Sequence, residues 1–210
     1  MNVTRKGMLI VVSGPSGVGK GTVVHAFLER YQTARLSVSV TTRARREGEI
    51  EGVNYFFRTV PEFEKMIERG EFLEYMRVYG MNYYGTLRSH VFESMENGYD
   101  VVLEIDVNGA MRIKEVCPEA VLIFIAPPSM SDLKTRLYGR GTETDDVIER
   151  RYREAYVEMG YLRSYDYVVV NDVVDKAVDT MCHILDAERC RIARNEDLLN
   201  SIDEEIKKYD

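Results

Sequence analysis

Apolar positions in this chain gather into short unbroken runs separated by stretches of helical spacing. Met8–Val12 is one such run. It breaks at Ser13 into a glycine-rich turn, after which Val23, Val24, Phe27, Leu28 and Tyr31 recur at helical intervals. The pattern predicts a strand over 8–13 and a helix over 20–31. Leu36–Thr42 reads as a strand and Tyr55-Phe56-Phe57 as a short aromatic one. Pro61 opens a helix through Phe63, Met66 and Ile67 that Gly70 stops. Residues 72–87, rich in tyrosine and glycine, read as short strands and turns, and a helix near 87–97 ends at Asn97-Gly98. Val101–Asp106, Val121–Ala126 and Tyr167–Val170 are further apolar strands. Helix, loop and helix lead up to about Leu162, and a long helix closes the chain. Apolar strands separated by helices imply a buried parallel sheet, hence an α/β fold. The insert over 36–90 is β-rich, tyrosine-rich and charged, and is expected to form a lobe beside that sheet.

The length of 210 residues suits one domain with a mobile subdomain. At 45% hydrophobic and 30% charged, the composition is that of a soluble globular protein. A formal charge of −7 argues against a broad nucleic-acid-binding surface while leaving room for a local basic site. No apolar run approaches the roughly 20 residues that span a bilayer, and residues 1–7 lack the apolar stretch of a signal peptide. Cys117, Cys182 and Cys190 have neither metal-ligand spacing nor a disulfide framework, so the cytoplasm is the expected compartment.

Four groups of residues carry chemistry. The first is Gly14-Pro15-Ser16-Gly17-Val18-Gly19-Lys20-Gly21-Thr22, between a strand and a helix. Such a loop turns backbone N–H groups into a concavity at a helix N-terminus and binds polyphosphate, with the lysine meeting the terminal phosphates. Gly21 stands where serine or threonine usually ligates magnesium, and the hydroxyl comes one place later at Thr22. The second is Glu104 and Asp106 at a strand's carboxyl end, where open α/β sheets place ligands. Two-residue spacing puts both carboxylates on one face, to hold magnesium through water or accept hydrogen bonds from a substrate. A structural pairing with arginines is the alternative. The third runs from Ser37 to Glu49, where hydroxyl residues lead into Arg43, Arg45 and Arg46, with Tyr55 close behind. It reads equally as a phosphate pocket or as a solvated loop. The fourth is Lys134, Arg136, Arg140, Arg150, Arg151 and Arg153, with Gly139, Gly141 and a helix cap at Thr144. Glycines flanking an arginine between helices suit a hinged lid that carries positive charge over phosphates. An amphipathic helix pair with exposed arginines is the plainer reading. The apolar stripe Leu198, Leu199, Ile202 and Ile206 is expected to dock a terminal helix, and the three histidines are expected to be structural or exposed.

Together these motifs resemble the guanylate kinase family over about residues 7–188. The glycine-rich loop resembles that family's variant. So does Ser39–Arg46 followed by Gly48-Glu49 and Tyr55-Phe56-Phe57, its most diagnostic stretch. Tyr84-Gly85-Thr86, Glu104-Ile105-Asp106 with Gly109, Ile125–Pro128 and Arg140–Thr144 follow in family order. The resemblance implies a P-loop NTPase fold of one domain, 1–210. Its core is expected over about 7–35, 91–135 and 160–188, with a GMP-binding lobe over 36–90, a lid over 136–159 and a tail over 189–210. It implies magnesium-dependent transfer from ATP to GMP or dGMP. The acidic surface and modest chain are compatible with a monomer or homodimer, and neither nucleic acid nor membrane is an expected partner.

By position, Arg43, Arg46, Tyr55 and Tyr84 would hold the GMP phosphate, and Tyr83 competes with Tyr84 for that role. Ser39, Glu74, Thr86 and Asp106 would read guanine, with Glu104 beside them. Lys20, Arg136, Arg140 and Arg151 would surround the transferring phosphate, with Asn171 and Asp172 toward adenine and magnesium near Thr22 and Glu104. Thr86 and Glu104 stand where serine and aspartate are frequent in the family. The rivals are a kinase for another small substrate and an interaction module that has lost ATP binding. A regulatory GTPase would need an Asn-Lys-x-Asp motif, and Asn171-Asp172 is followed by valine.

Overall fold

The computed structural model describes residues 6–78, 81–139 and 144–208. In chain order the elements begin with β1 (Leu9–Ser13), α1 (Lys20–Arg30), β2 (Ala34–Leu36), β3 (Val40–Thr41) and β4 (Phe56–Phe57). Then come α2 (Val60–Glu68), β5 (Phe72–Val78), β6 (Asn82–Leu87), α3 (Arg88–Glu96), β7 (Asp100–Glu104) and α4 (Val107–Val116). The last are β8 (Val121–Ala126), α5 (Met130–Tyr138), α6 (Asp145–Met159), β9 (Tyr167–Val170), α7 (Val174–Arg189) and α8 (Glu196–Ile206).

Five strands form a parallel sheet in the order β2-β7-β1-β8-β9. β1 and β8 are buried at every position because helices cover both faces, which is why their sequences are continuous apolar runs. Period-two alternation divides β1 between two cores. Ile10 and Val12 pack with Val23, Phe27, Leu133, Ile148 and Met181 from α1, α5, α6 and α7. Leu9 and Val11 pack with Val91 and Ile113 from α3 and α4. α6, the main helix of the expected lid, is therefore seated on the central core through Ile148 and Ala155.

A second, four-stranded sheet in the order β4-β3-β6-β5 makes the lobe. Phe63 of α2 stacks on Phe72 and on Tyr83, with ring centroids 4.4 and 5.0 Å apart. α2 starts in a capping box between Thr59 and Glu62. The expected strand over 36–42 is two strands. β2 pairs with β7 in the main sheet and β3 with β4 and β6 in the lobe, so 37–39 is the crossing between the two bodies. Ser37 and Ser39 still hydrogen-bond one body each: the Ser37 amide donates to Val102 O, and Ser39 O accepts from Phe56 N.

Two further expectations change. The long terminal helix is two helices, α7 and α8, separated by a short turn of 3-10 helix at Ile192–Arg194. Glu188, buried at the end of α7, accepts from Arg191, Arg194 and Tyr167 and pins that break. The apolar stripe of α8 is not docked: Leu198, Ile202 and Ile206 are exposed and no residue of α8 is buried. Among the described residues, no helix is long and apolar enough to cross a membrane.

Candidate active site

The site lies at the carboxyl ends of β1 and β7, where the lobe leans over the main sheet. A cavity of about 340 Å³ has Lys20 and Glu104 on the core side and Glu74 and Tyr84 on the lobe side. Ser39, Tyr55 and Asp106 complete its polar lining.

The phosphate-binding loop is shaped by close approach. Gly14 has φ +144°, and a Cβ there would stand 2.2 Å from Ile125 O, so only glycine fits between β1 and β8. Asn171, buried after β9, donates its side-chain amide to Val18 O at 2.8 Å and braces the loop from behind. Lys20 opens α1 and donates to Gly14 O (2.6 Å) and Pro15 O (3.3 Å). Burial lowers its pKa, against the pull of Glu158, Glu104 and Asp106. Arg136 donates to Val18 O at 3.3 Å, and Arg151 donates through two nitrogens to Ser16 Oγ at 3.1 and 3.0 Å. Both arginines therefore already sit on the loop. Lys134 binds Glu149 and ties α5 to α6. Thr144 is the N-cap of α6, but its side chain makes no capping bond. Arg140 lies outside the described residues.

On the lobe side, the β5–β6 register puts Glu74 opposite Thr86. The Thr86 hydroxyl donates to Glu74 Oε1 at 2.6 Å, and both residues are buried. Burial pushes the Glu74 carboxyl up to about 7. The Thr86 hydrogen bond opposes that rise and the Asp106 charge adds to it. Gly109 leaves room beside this carboxylate, since a Cβ there would stand in tight contact, 3.3 Å, with Glu74 Oε2. Asp106 is not on the strand with Glu104. β7 ends at Glu104, and Asp106 caps α4 by accepting from Gly109 N at 2.8 Å. The two carboxylates nevertheless reach one cavity, as their spacing suggests. Burial raises the Glu104 pKa and Lys20 opposes the rise. Gly21 faces Glu104: a Cβ there would lie 3.4 Å from Glu104 Oε1.

The arginine loop is built rather than solvated at Arg43. Its guanidinium forks onto Glu49, at 2.7 and 3.1 Å, and lies 5.4 Å from the Tyr55 ring centroid. Glu49 also accepts from Arg46 N, while the Arg46 side chain is exposed. Tyr55 and Tyr84 meet edge to face with centroids 5.9 Å apart. Tyr84 lines the cavity, whereas Tyr83 stacks on Phe63 inside the lobe. Thr22 and Asp172 are exposed.

Sequence reasoning missed Met76, which lines the cavity, and the clamp that Glu49 puts on Arg43. The first was legible in principle, since Met76 shares the face of β5 that carries Glu74. The second depends on how the loop folds back.

The family model for guanylate kinase matches residues 6–188. This chain belongs to the guanylate kinase family. A guanylate kinase of Caldanaerobacter subterraneus subsp. tengcongensis is 50% identical over 205 residues, covering 98% of this chain and 99% of that protein. One from Clostridium tetani is 51% identical over 192 residues, covering 91% of each. The crystal structure of guanylate kinase from Anaplasma phagocytophilum superposes with a TM-score of 0.76 at 34% identity, covering 94% of this chain and 96% of that one. As a guanylate kinase family member the chain is a nucleotide-binding transferase of the kinase class, with the family's P-loop fold. The family model stops at the end of α7, but the match to the Caldanaerobacter protein runs on into the tail.

Proposed function

We propose that this enzyme transfers the γ-phosphoryl group of ATP to GMP, and to dGMP, giving ADP and GDP or dGDP. The Glu74–Thr86 pair facing Asp106 across the cavity from the phosphate loop carries this reading. Guanine offers N1–H and a 2-amino group as donors, and two carboxylates and two hydroxyls (Ser39, Thr86) are suited to receive them. Adenine presents an acceptor at N1 and no 2-amino group, so a buried carboxylate would be left unpaired. Sites of this kind discriminate by roughly 10⁴-fold.

Arg43, held in place by Glu49, would grip the GMP phosphate with Tyr55, Tyr84 and the exposed Arg46. ATP phosphates would occupy the amides of Gly14–Thr22, with Asn171 supporting the site through the loop it braces and Asp172 at its edge. Lys20, Arg136, Arg140 and Arg151 would neutralise charge on the transferring group. The GMP phosphate oxygen is the nucleophile and attacks in line, so no side chain forms a covalent intermediate. Closure of the lobe would bring donor and acceptor together and exclude water that would hydrolyse ATP.

Magnesium fits this site in one manner. Glu104 is a single carboxylate facing Gly21, and magnesium favours one or two carboxylates plus substrate phosphates and water. Glu104 and Thr22 would hold it through water, and when bound it neutralises charge on the ATP phosphates. The free thiols Cys117, Cys182 and Cys190 fit a reducing compartment, the cytoplasm. The enzyme would act there as a monomer or homodimer.

Lys20→Ala tests the central assignment. Turnover of ATP with GMP should fall by at least about 10³-fold while the thermal midpoint stays near that of the parent. Activity within tenfold of the parent would remove Lys20 from the reaction.

A further inference from the structure

One carboxylate stands where the chemistry calls for a phosphate. Glu158, in the last turn of α6, reaches across to the glycine-rich loop, and its Oε2 accepts from the backbone N–H of Ser16 at 2.9 Å. Loop amides at the start of a helix attract anions, so a carboxylate there is favourable when no phosphate is present. The same helix face holds Ser16 a second time, through Arg151 on its hydroxyl. Arg151, Ala155 and Glu158 succeed each other at helical spacing, and Ala155 is buried between the two grips.

We infer that Glu158 is a built-in competitor for the nucleotide: its carboxylate occupies the Ser16 amide in the free protein and yields it to a phosphate oxygen of ATP. An N–H group that donates to a carboxylate 2.9 Å away has no room for a second anionic oxygen on the same axis, and the two anions repel. Binding of ATP therefore requires the Glu158 side chain to swing off the loop. Arg151, which is cationic, keeps an attractive partner in the incoming phosphate. The exchange detaches the carboxyl-terminal turn of α6 from the loop and leaves the Arg151 turn engaged. In this way a carboxylate carried by α6 into the phosphate loop sets the affinity for ATP and links phosphate binding to the seat of the lid helix. The inference rests on the assignment of Gly14–Thr22 as the ATP phosphate site.

The test compares parent, Glu158→Gln and Glu158→Asp full-length proteins by titration calorimetry with ATP, inorganic pyrophosphate and adenosine. Glutamine keeps the shape and replaces a charged acceptor by a neutral one. Aspartate keeps the charge but falls short of the amide. Glu158→Gln should bind ATP and pyrophosphate about fivefold more tightly, the difference between a charged and a neutral hydrogen bond to one amide, and Glu158→Asp should also bind them more tightly, because no hydrogen bond to that amide has to be broken. Adenosine, which has no phosphate, should bind all three proteins alike. Unchanged or weaker ATP and pyrophosphate binding in both variants would overturn the inference, and so would an equal gain for adenosine, which would mean a general loosening of the site. The kinase reading is scored separately, by turnover of the parent with ATP and GMP. Its failure would leave the pyrophosphate comparison intact.

Discussion

Glu74 is the residue in which folding and function pull against each other. It is buried, it holds Thr86, and its carboxyl titrates at about 7 rather than near 4.5. Because the folded protein binds this proton more tightly than the unfolded chain, Glu74 makes stability fall as pH rises from about 4.5 through about 7, by about 3 kcal/mol in all. The proposed function asks for the opposite form, since an ionised carboxylate would accept from guanine. The KM for GMP should therefore rise roughly tenfold for each pH unit below about 7, and Glu74→Gln should flatten that profile while raising KM throughout. A parent profile flat between pH 5.5 and about 8 would remove Glu74 from base reading. Arg43 is arranged differently. Its fork onto Glu49 fixes the guanidinium, so the positioning proposed for the GMP phosphate would already be complete in the free protein.

At the scale of elements, the central strands were the most legible part of the chain. Val121–Ala126 matches its predicted bounds because a strand buried on both faces leaves an unbroken apolar run. Tyr167–Val170 also matches, although it is an edge strand with Val168 and Val170 exposed, because its β-branched run has strand character of its own. The phosphate loop was equally plain, since Gly14, Gly17 and Gly19 all take positive φ in one tight turn and that local demand writes itself as glycine spacing. Three features were hidden for physical reasons. The run 36–42 keeps strand character while changing sheets, and alternation does not report which sheet a strand joins. Asp106 caps α4 instead of continuing β7, a choice made by its bond to Gly109 N. The clamp between Arg43 and Glu49 depends on a loop conformation that no periodicity encodes. The loop also supplies this scale's prediction. Gly14→Ala should cost several kcal/mol of stability, about 3 or more, because its Cβ would collide with backbone at Ile125 and cannot be relieved by a rotamer change. A denaturant midpoint equal to the parent's would show that β1 and β8 separate more easily than this packing implies.

For the whole molecule, the proposed function depends on two sheets meeting over one cavity, whose lining includes no residue of the tail. α8 buries none of its residues, and the buried anchor of the tail, Glu188 with Arg191 and Arg194, precedes it. A chain ending at Asn195 should keep its turnover and a thermal midpoint within about 2 °C of the parent. A larger drop would assign α8 a stabilising contact beyond this chain's own fold. The amphipathic spacing of Leu198, Ile202 and Ile206 was legible in the sequence, but whether a stripe is covered is a property of the assembled molecule.

The central claim is that Glu74 from the lobe and Asp106 from the core, facing a phosphate loop, make this family member a kinase selective for guanine. A coupled assay of ADP release with ATP and magnesium tests it most directly, run in parallel with GMP, dGMP, AMP, CMP and UMP. The account predicts strong turnover with GMP and dGMP and at least about 10³-fold less with AMP. Comparable rates with GMP and AMP, or none with either despite GMP binding, would contradict it.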